Sequence, residues 1–301
     1  MYFLGIALLT LSLLPLPAAV QDVGSVTLIE GSLGVIRDTT VLHGTEGMRL
    51  RQGDIIESSA KGFVQLEFVG GAIVALGPSS RLYIVRHGLA GKAGSDGTRA
   101  DLVLLSGWMK GESNANAGSY RYNSPTLAAT TGSGTLVFHS DGNGCDIFVE
   151  SGSATISEVI PSGSLRSPTT GKAGQFFSRP AGKNVASTSR PSAAFIDSMP
   201  LPFRDTLPSR LGHFNGKTVE PKVEHQVTYI EIQPWLTMPP SWRGGFVERF
   251  EPRLKDPEFR KQLEAHLAVY PEWEPALHPE KHAPQNPPAA VPNSESSHPR
   301  D

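Results

Sequence analysis

The chain has 301 residues, a formal net charge of −2 and a charged fraction of 19%. That balance offers no basic field for nucleic acid or anionic lipid, and a single cysteine excludes an intramolecular disulfide framework. With 31 glycines and 25 prolines, the composition suits short strands joined by many turns.

Residues 1–19 carry an apolar run from Phe3 to Leu16, then Pro17-Ala18-Ala19. This has the form of a secretory signal peptide cut near Ala19, which places the mature chain in the periplasm or outside the cell. An uncleaved anchor is the competing reading, because the n-region lacks Lys and Arg and Pro17 is poorly placed for cleavage. The run is shorter than the ~20 apolar residues a spanning helix needs. No later segment is long and apolar enough to span, so no stable membrane span is expected after cleavage. No cysteine near residue 20 invites lipid attachment.

From Val23 to Ile156, strand-like runs recur about every ten residues. Val26 to Ile29 and Leu33 to Arg37 open the series. Leu102 to Met109, Tyr120 to Tyr122, Pro125 to Ala129, Thr135 to His139, Cys145 to Val149 and Ser151 to Ile156 continue it. The most informative stretch is Glu46 to Val85. Gly53-Asp54 is a turn before Ile55-Ile56, where the Asp54 carboxylate can accept backbone N–H bonds. Val64, Leu66 and Phe68 fall on one face of a strand, which predicts them inside and Gln65 and Glu67 outside. Gly70-Gly71 closes that strand. Ala72 to Leu76 is an apolar run, and Gly77-Pro78-Ser79-Ser80 turns into Arg81 to Val85, with Leu82 on the apolar side. Such regular short strands predict a mainly β module, sandwich- or solenoid-like.

This ordered pattern resembles the FecR family of extracytoplasmic β domains. The residues carrying the resemblance include Gly53, Asp54, Gly77, Pro78, Ser80 and Leu82. Ser106-Gly107-Trp108-Met109, the Tyr122 to Thr135 segment, Val149 to Ala154 and Ala173-Gly174-Gln175 extend it over about residues 24–187. Two departures stand out. Ser124 precedes Pro125 where the family has Thr, and Ser133-Gly134 is inserted before Thr135. The resemblance implies a non-catalytic binding or signalling module. FecR regulators carry a cytoplasmic anti-sigma segment and a spanning helix ahead of this domain, whereas here the module follows the signal-like segment directly. Direct control of a sigma factor is therefore not implied.

Residues 86–100 read as a surface loop. Gly91-Lys92 fails as a phosphate loop because Ala93 stands where Ser or Thr is needed. The Ser- and Pro-rich stretch from Pro161 to Pro202 reads as a final strand and a linker over 188–202. Residues 203–282 read as a small helical region. Asp256-Pro257-Glu258 is a helix start, with Phe259, Leu263 and Leu267 on one face. Ser241 to Phe250 is a second candidate helix, weakened by Gly244-Gly245. Residues 283–301 have the composition of a disordered tail.

Chemistry is sparse. Of the nine histidines, His278 and His282 stand four apart, but with Pro279 between them in a Pro-rich stretch they read as solvated, and no cysteine pair exists, so neither metal nor cofactor is expected. Ser133 lacks the glycines of a nucleophile elbow, and an enzyme is not expected. Cys145 reads as buried in a strand. Two functions follow: a FecR-like module contacting an envelope protein, or an envelope scaffold binding peptidoglycan or another glycan. Large aromatics beside arginine favour partner contacts, which singles out Trp235, Trp242, Arg243, Phe250 and Trp273. The competing reading packs those helices on the β domain, since short helices are marginal alone. The sequence does not fix the oligomeric state.

Overall fold

The computed structural model describes residues 21–88, 98–215 and 217–282. The leader, most of the 86–100 loop and the tail lie outside the described residues. The first strands are β1 (Asp22–Glu30), β2 (Leu33–Arg37), β3 (Thr40–His43), β4 (Arg49–Arg51), β5 (Ile55–Ser58) and β6 (Phe63–Phe68). They are followed by β7 (Ile73–Leu76), β8 (Arg81–His87), β9 (Ala100–Ser113), β10 (Tyr120–Asn123), β11 (Leu127–Thr131) and β12 (Gly134–Ser140). The last are β13 (Cys145–Val159), β14 (Leu165–Lys172), β15 (Phe176–Arg179), β16 (Ala186–Thr188) and β17 (Lys222–Gln226).

These strands form two layers. Sheet I runs β4-β1-β6-β7-β9-β12-β13-β15-β16. Sheet II runs β17-β3-β2-β5-β8-β9-β10-β11-β13-β14. Every pairing is antiparallel except β9 with β10. The two long strands β9 and β13 belong to both sheets, so the architecture is a sandwich joined through shared strands. Each bends where a glycine sits at positive φ: Gly107 at +94° and Gly152 at +73°. Residues before Gly107 pair in sheet II and residues from Gly107 pair in sheet I. A Cβ there would lie 2.5 Å from Ser80, so both the bend and the close approach demand glycine.

Period two decides what fills the space between the layers. Val64, Leu66 and Phe68 point into it with Val26, Val74 and Leu76 of sheet I, facing Val35, Ile56, Leu82 and Ile84 of sheet II. The inward half of the β6 expectation is therefore met. The outward half is not: Gln65 and Glu67 lie on the opposite face but are only 1% and 4% exposed, because a later segment covers them. Cys145 is buried in the core, and burial pushes its thiol up to about 12.

Both outer faces are covered by the C-terminal part of the chain. The 188–202 stretch is not a linker. It contains α1 (Ala193–Ser198), whose N-cap Ser192 accepts a bond from the Phe195 N–H. Phe195, Met199, Phe203 and Leu207 then pack on Trp108, Val137 and Phe176 of sheet I. The stretch before it also holds three strands, β14 to β16, rather than one. The chain next passes the sandwich edge through β17. On sheet II it lays down α2 (Tyr229–Leu236), α3 (Pro240–Arg243), α4 (Phe246–Phe250), α5 (Pro257–Ala265), α6 (Glu274–Leu277) and α7 (Pro279–His282). Asp256 caps α5 as expected, accepting from Glu258 and Phe259 N–H at 3.0 and 3.4 Å. The candidate helix at 241–250 is broken at Gly244-Gly245 into α3 and α4. The apolar sides of these helices share one cluster with Ile36, Val41, Ile55, Val103 and Leu105 of sheet II.

At one end of the core, His87 stacks on Phe68 at 5.4 Å, and its Nε2 lies 2.9 Å from the Tyr120 hydroxyl. Its Nδ1 has no hydrogen-bond partner among the described residues. Burial, and then the Arg99 charge, lower its pKa from 6.5 to about 4. The unfolded chain therefore takes up this proton at higher pH than the folded one. The neutral ring's contribution is complete above about pH 6.5 and is lost as pH falls towards 4, up to about 3 kcal/mol. Urea midpoints at pH 7.5, 5.5 and 4.5 should decline across that window, and less steeply in His87→Gln. Equal slopes would show that His87 is not the titrating group.

Candidate binding surface

The motif residues build the scaffold. Gly53 adopts φ +90°, which turns the chain so that the buried Asp54 faces Arg37. Asp54 accepts from Arg37 Nε and Nη2 at 2.9 and 2.7 Å, and from the Arg51 N–H at 2.8 Å. The Gly77-Pro78-Ser79-Ser80 turn is fixed by hydroxyls. Ser58 Oγ donates to Gly77 O at 2.6 Å and accepts from the Ser80 N–H at 2.9 Å. Ser80 Oγ accepts from the Trp108 N–H at 2.8 Å and lies 2.9 Å from both Gly77 O and Trp108 O. This ties the turn to the β9 bend. A Cβ on Gly77 would meet Trp108 at 2.8 Å and Pro200 at 2.9 Å. Leu82 is core.

The aromatic and arginine set chosen for partner contacts is largely turned inward. Trp235, Phe250 and Trp273 are fully buried, Arg243 is 9% exposed and Trp242 is half-buried. Trp235 Nε1 donates to Glu57 at 3.0 Å across to sheet II. Arg243 Nε donates to Met238 O at 2.8 Å, pairs with Glu272 and lies over the Tyr270 ring. Phe250 carries the Arg249 guanidinium 4.7 Å above its ring. Arg249 in turn donates to Asp38 O, Gly53 O and Ile36 O at 2.9, 2.6 and 2.9 Å, pinning α4 to the motif turn. These residues are anchors of the cover. The physical reason is the shortness of the helices, which hold their shape only on a surface.

Other side chains form the accessible concave features. A cleft of about 620 Å³ opens at the end of the sandwich beside the β9 bend, between Glu57, Arg81, Pro78, Trp108, His139 and Pro200. Trp108 stacks on His139 at 4.4 Å and packs on Phe195 at 5.1 Å, and is 8% exposed. A smaller groove of about 300 Å³ lies between α2 and α5, lined by Tyr229 and Phe259. Ile230 stands at its rim, 75% exposed. Position 230 carried no signal in the sequence beyond being one apolar residue.

A third feature is a strap, residues 203–210, held against sheet I by its main chain. Lys110 Nζ donates to Phe203 O and Asp205 O, both at 2.8 Å. Glu112 accepts from the Leu207 N–H at 3.0 Å. Gln65 Nε2 donates to Pro208 O at 2.9 Å, and Glu67 accepts from the Arg210 N–H and the Ser209 hydroxyl at 2.6 Å each. Lys110 also pairs with Glu150 at 2.9 Å.

Among the described residues, no group of three or more His, Cys, Asp and Glu side chains is placed to hold a metal ion. No helix among them is long and apolar enough to cross a membrane. No family model and no curated protein matches the chain. Two solved structures are similar to it, both of a candidate anti-sigma factor from Parabacteroides distasonis. One, at 1.65 Å resolution, is 8% identical with a TM-score of 0.36 and covers 45% of this chain and 59% of that one. The other, at 2.50 Å, is 9% identical with a TM-score of 0.38 and covers 48% and 64%. The chain thus spans less than two thirds of either protein.

Removing one partner of a buried ion pair leaves the other uncompensated. Asp54→Ala is expected to cost about 3–5 kcal/mol in urea unfolding. A cost below about 1 kcal/mol would mean that the motif turn does not depend on this pair.

Proposed function

We propose that this chain is a non-catalytic, exported FecR-like module that works through contacts with another protein of the bacterial envelope. The observation that carries this reading is the use made of the motif. Its carboxylate and hydroxyl, Asp54 and Ser80, are consumed, together with the neighbouring Ser58, in internal bonds that hold the β5, β7 and β8 turns. Groups fixed in that way support a rigid scaffold and leave recognition to its surface. The apolar leader at residues 1–19 supports export. The α2–α5 groove, with Ile230 exposed above Tyr229 and Phe259, supplies an apolar patch of the kind a protein partner covers.

A second reading, glycan or peptidoglycan binding, is favoured by the end cleft. Its lining mixes Trp108 with Glu57, Arg81, Ser79 and Ser140. Against it, Trp108 is already packed on His139 and Phe195, which leaves little open ring for a sugar to stack on.

Retention on purified peptidoglycan and cross-linking to envelope proteins separate the two. The expected outcome is a specific cross-link through a photoreactive residue at position 230, with no retention on peptidoglycan. Retention on peptidoglycan that is lost in Trp108→Ala, without any cross-link, would replace the first reading by the second.

A further inference from the structure

We propose that the outer face of sheet I beneath residues 203–210 is a docking site for a short peptide segment of a partner protein, closed in this structure by the chain's own strap. The proposal deepens the protein-contact reading above and rests on it for the existence of a partner.

The strap is held as a bound peptide is held. Five of its main-chain groups, the carbonyls of Phe203, Asp205 and Pro208 and the amides of Leu207 and Arg210, are met by side chains of β6 and β9. Main-chain recognition accepts many sequences. Selectivity comes from the two strap side chains that are buried, Phe203 and Leu207, four residues apart. Phe203 meets Phe63 edge-on at 6.1 Å. Arg204, Asp205, Thr206, Pro208 and Ser209 are exposed. Between β6 and β9 the intervening strand β7 presents Ala75, which aligns with Gln65 on one side and Lys110 on the other. Its small side chain leaves room for a main chain to lie between them. The segment that fits therefore makes one 3-10 turn at its aromatic residue, as Leu201–Arg204 does here, and then runs on without helix to a leucine four residues later, with no charge requirement in between.

What makes this face able to open is its chemistry. Gln65, Glu67, Lys110, Glu112 and Glu150 are polar groups that water satisfies when the strap lifts. Sheet II offers no such option, since its covered face is Ile36, Val41, Ile55, Val103 and Leu105. The strap is tethered at both ends, so it competes at the effective concentration of a linked segment, on the order of millimolar. A partner must match the two anchors to displace it. Addition to a sheet edge is a poorer route. Edge strand β14 carries Pro168 and a positive φ at Ser167, and edge strand β17 is bulged and charged.

The test uses the full chain and a fluorescent peptide of residues 201–212. In a Phe203→Ala/Leu207→Ala variant, whose strap lacks its anchors, anisotropy should show the peptide binding at least tenfold tighter than to the unsubstituted chain. Adding Lys110→Met, or placing both alanines in the peptide, should abolish it. A double variant that melts cooperatively yet binds no peptide overturns the proposal, as does one that forms a dimer by exchanging straps. Should the variant not fold, hydrogen exchange in the unsubstituted chain decides. The Leu207 and Arg210 amides should exchange well before those of β6 and β9, and exchange together with them overturns the proposal. Peptide binding without any envelope cross-link would leave the site standing and remove the functional reading. A cross-link at position 230 without peptide binding would do the reverse.

Discussion

A sheet that is apolar on both faces needs a layer on each, and sheet II is such a sheet. Val35 and Ile56 face the sandwich core while their neighbours Ile36 and Ile55 face away from it, and Leu102 to Leu105 alternate in the same manner. Burying five aliphatic side chains at about 1.5–3 kcal/mol each is worth on the order of 10 kcal/mol. That is as large as the whole stability of a typical domain, about 5–15 kcal/mol. The helices on this face are therefore part of the fold, and Trp235, Phe250 and Trp273 are oriented by that need. Arg249 shows the coupling at one point: its guanidinium lies over Phe250 and bonds to three carbonyls of the strands and turn beneath.

The cover on sheet I obeys a different rule. Under α1 the contact is aromatic, Trp108 and Phe176 against Phe195. Under residues 203–210 it is mixed: Phe203 and Leu207 are buried in the same apolar cluster, while five main-chain groups are met by polar side chains of β6 and β9. The sheet II cover thus rests chiefly on apolar burial, and the strap on two apolar anchors with hydrogen bonds around them. Four of the five main-chain bonds have a charged partner, Lys110, Glu112 or Glu67, and bonds of that kind contribute about 1.5–3 kcal/mol each net.

Much of the sandwich was legible in the sequence because period two is a strong signal: Val64, Leu66 and Phe68 lie where the alternation put them. The same alternation misled for Gln65 and Glu67. Polar residues at outward positions read as solvated, but here their partners are backbone atoms more than 140 residues later in the chain, and no local pattern encodes those. Asp256-Pro257 was readable as a helix start because a cap is local. Thr228 and Glu231 offered an equally local signal, a capping box in which Glu231 reaches the Thr228 N–H at 2.7 Å, and it opens the α2 helix that the pattern of apolar residues did not reveal. For the tryptophans, size announced importance but not direction: whether a short helix packs on its own β module or on a partner depends on the face opposite, which is set by strands far away in sequence. Strands β14 and β16 were hidden by Ser, Thr and Pro. β14 is an exposed edge strand and β16 has all three residues exposed, so neither needs an apolar pattern.

The central claim is that the helices of residues 229–277 and the sandwich form one cooperative unit. It is tested most directly by urea unfolding of a variant that keeps Trp235 as its single tryptophan, followed at once by Trp235 fluorescence and by far-ultraviolet circular dichroism of the strands. Trp235 belongs to α2 and meets Tyr83 of β8 edge-on, so its emission reports the cover. Coincident transitions with one midpoint are what the account predicts. Loss of the fluorescence signal at low urea, with the strand signal intact to a second and higher midpoint, would contradict it.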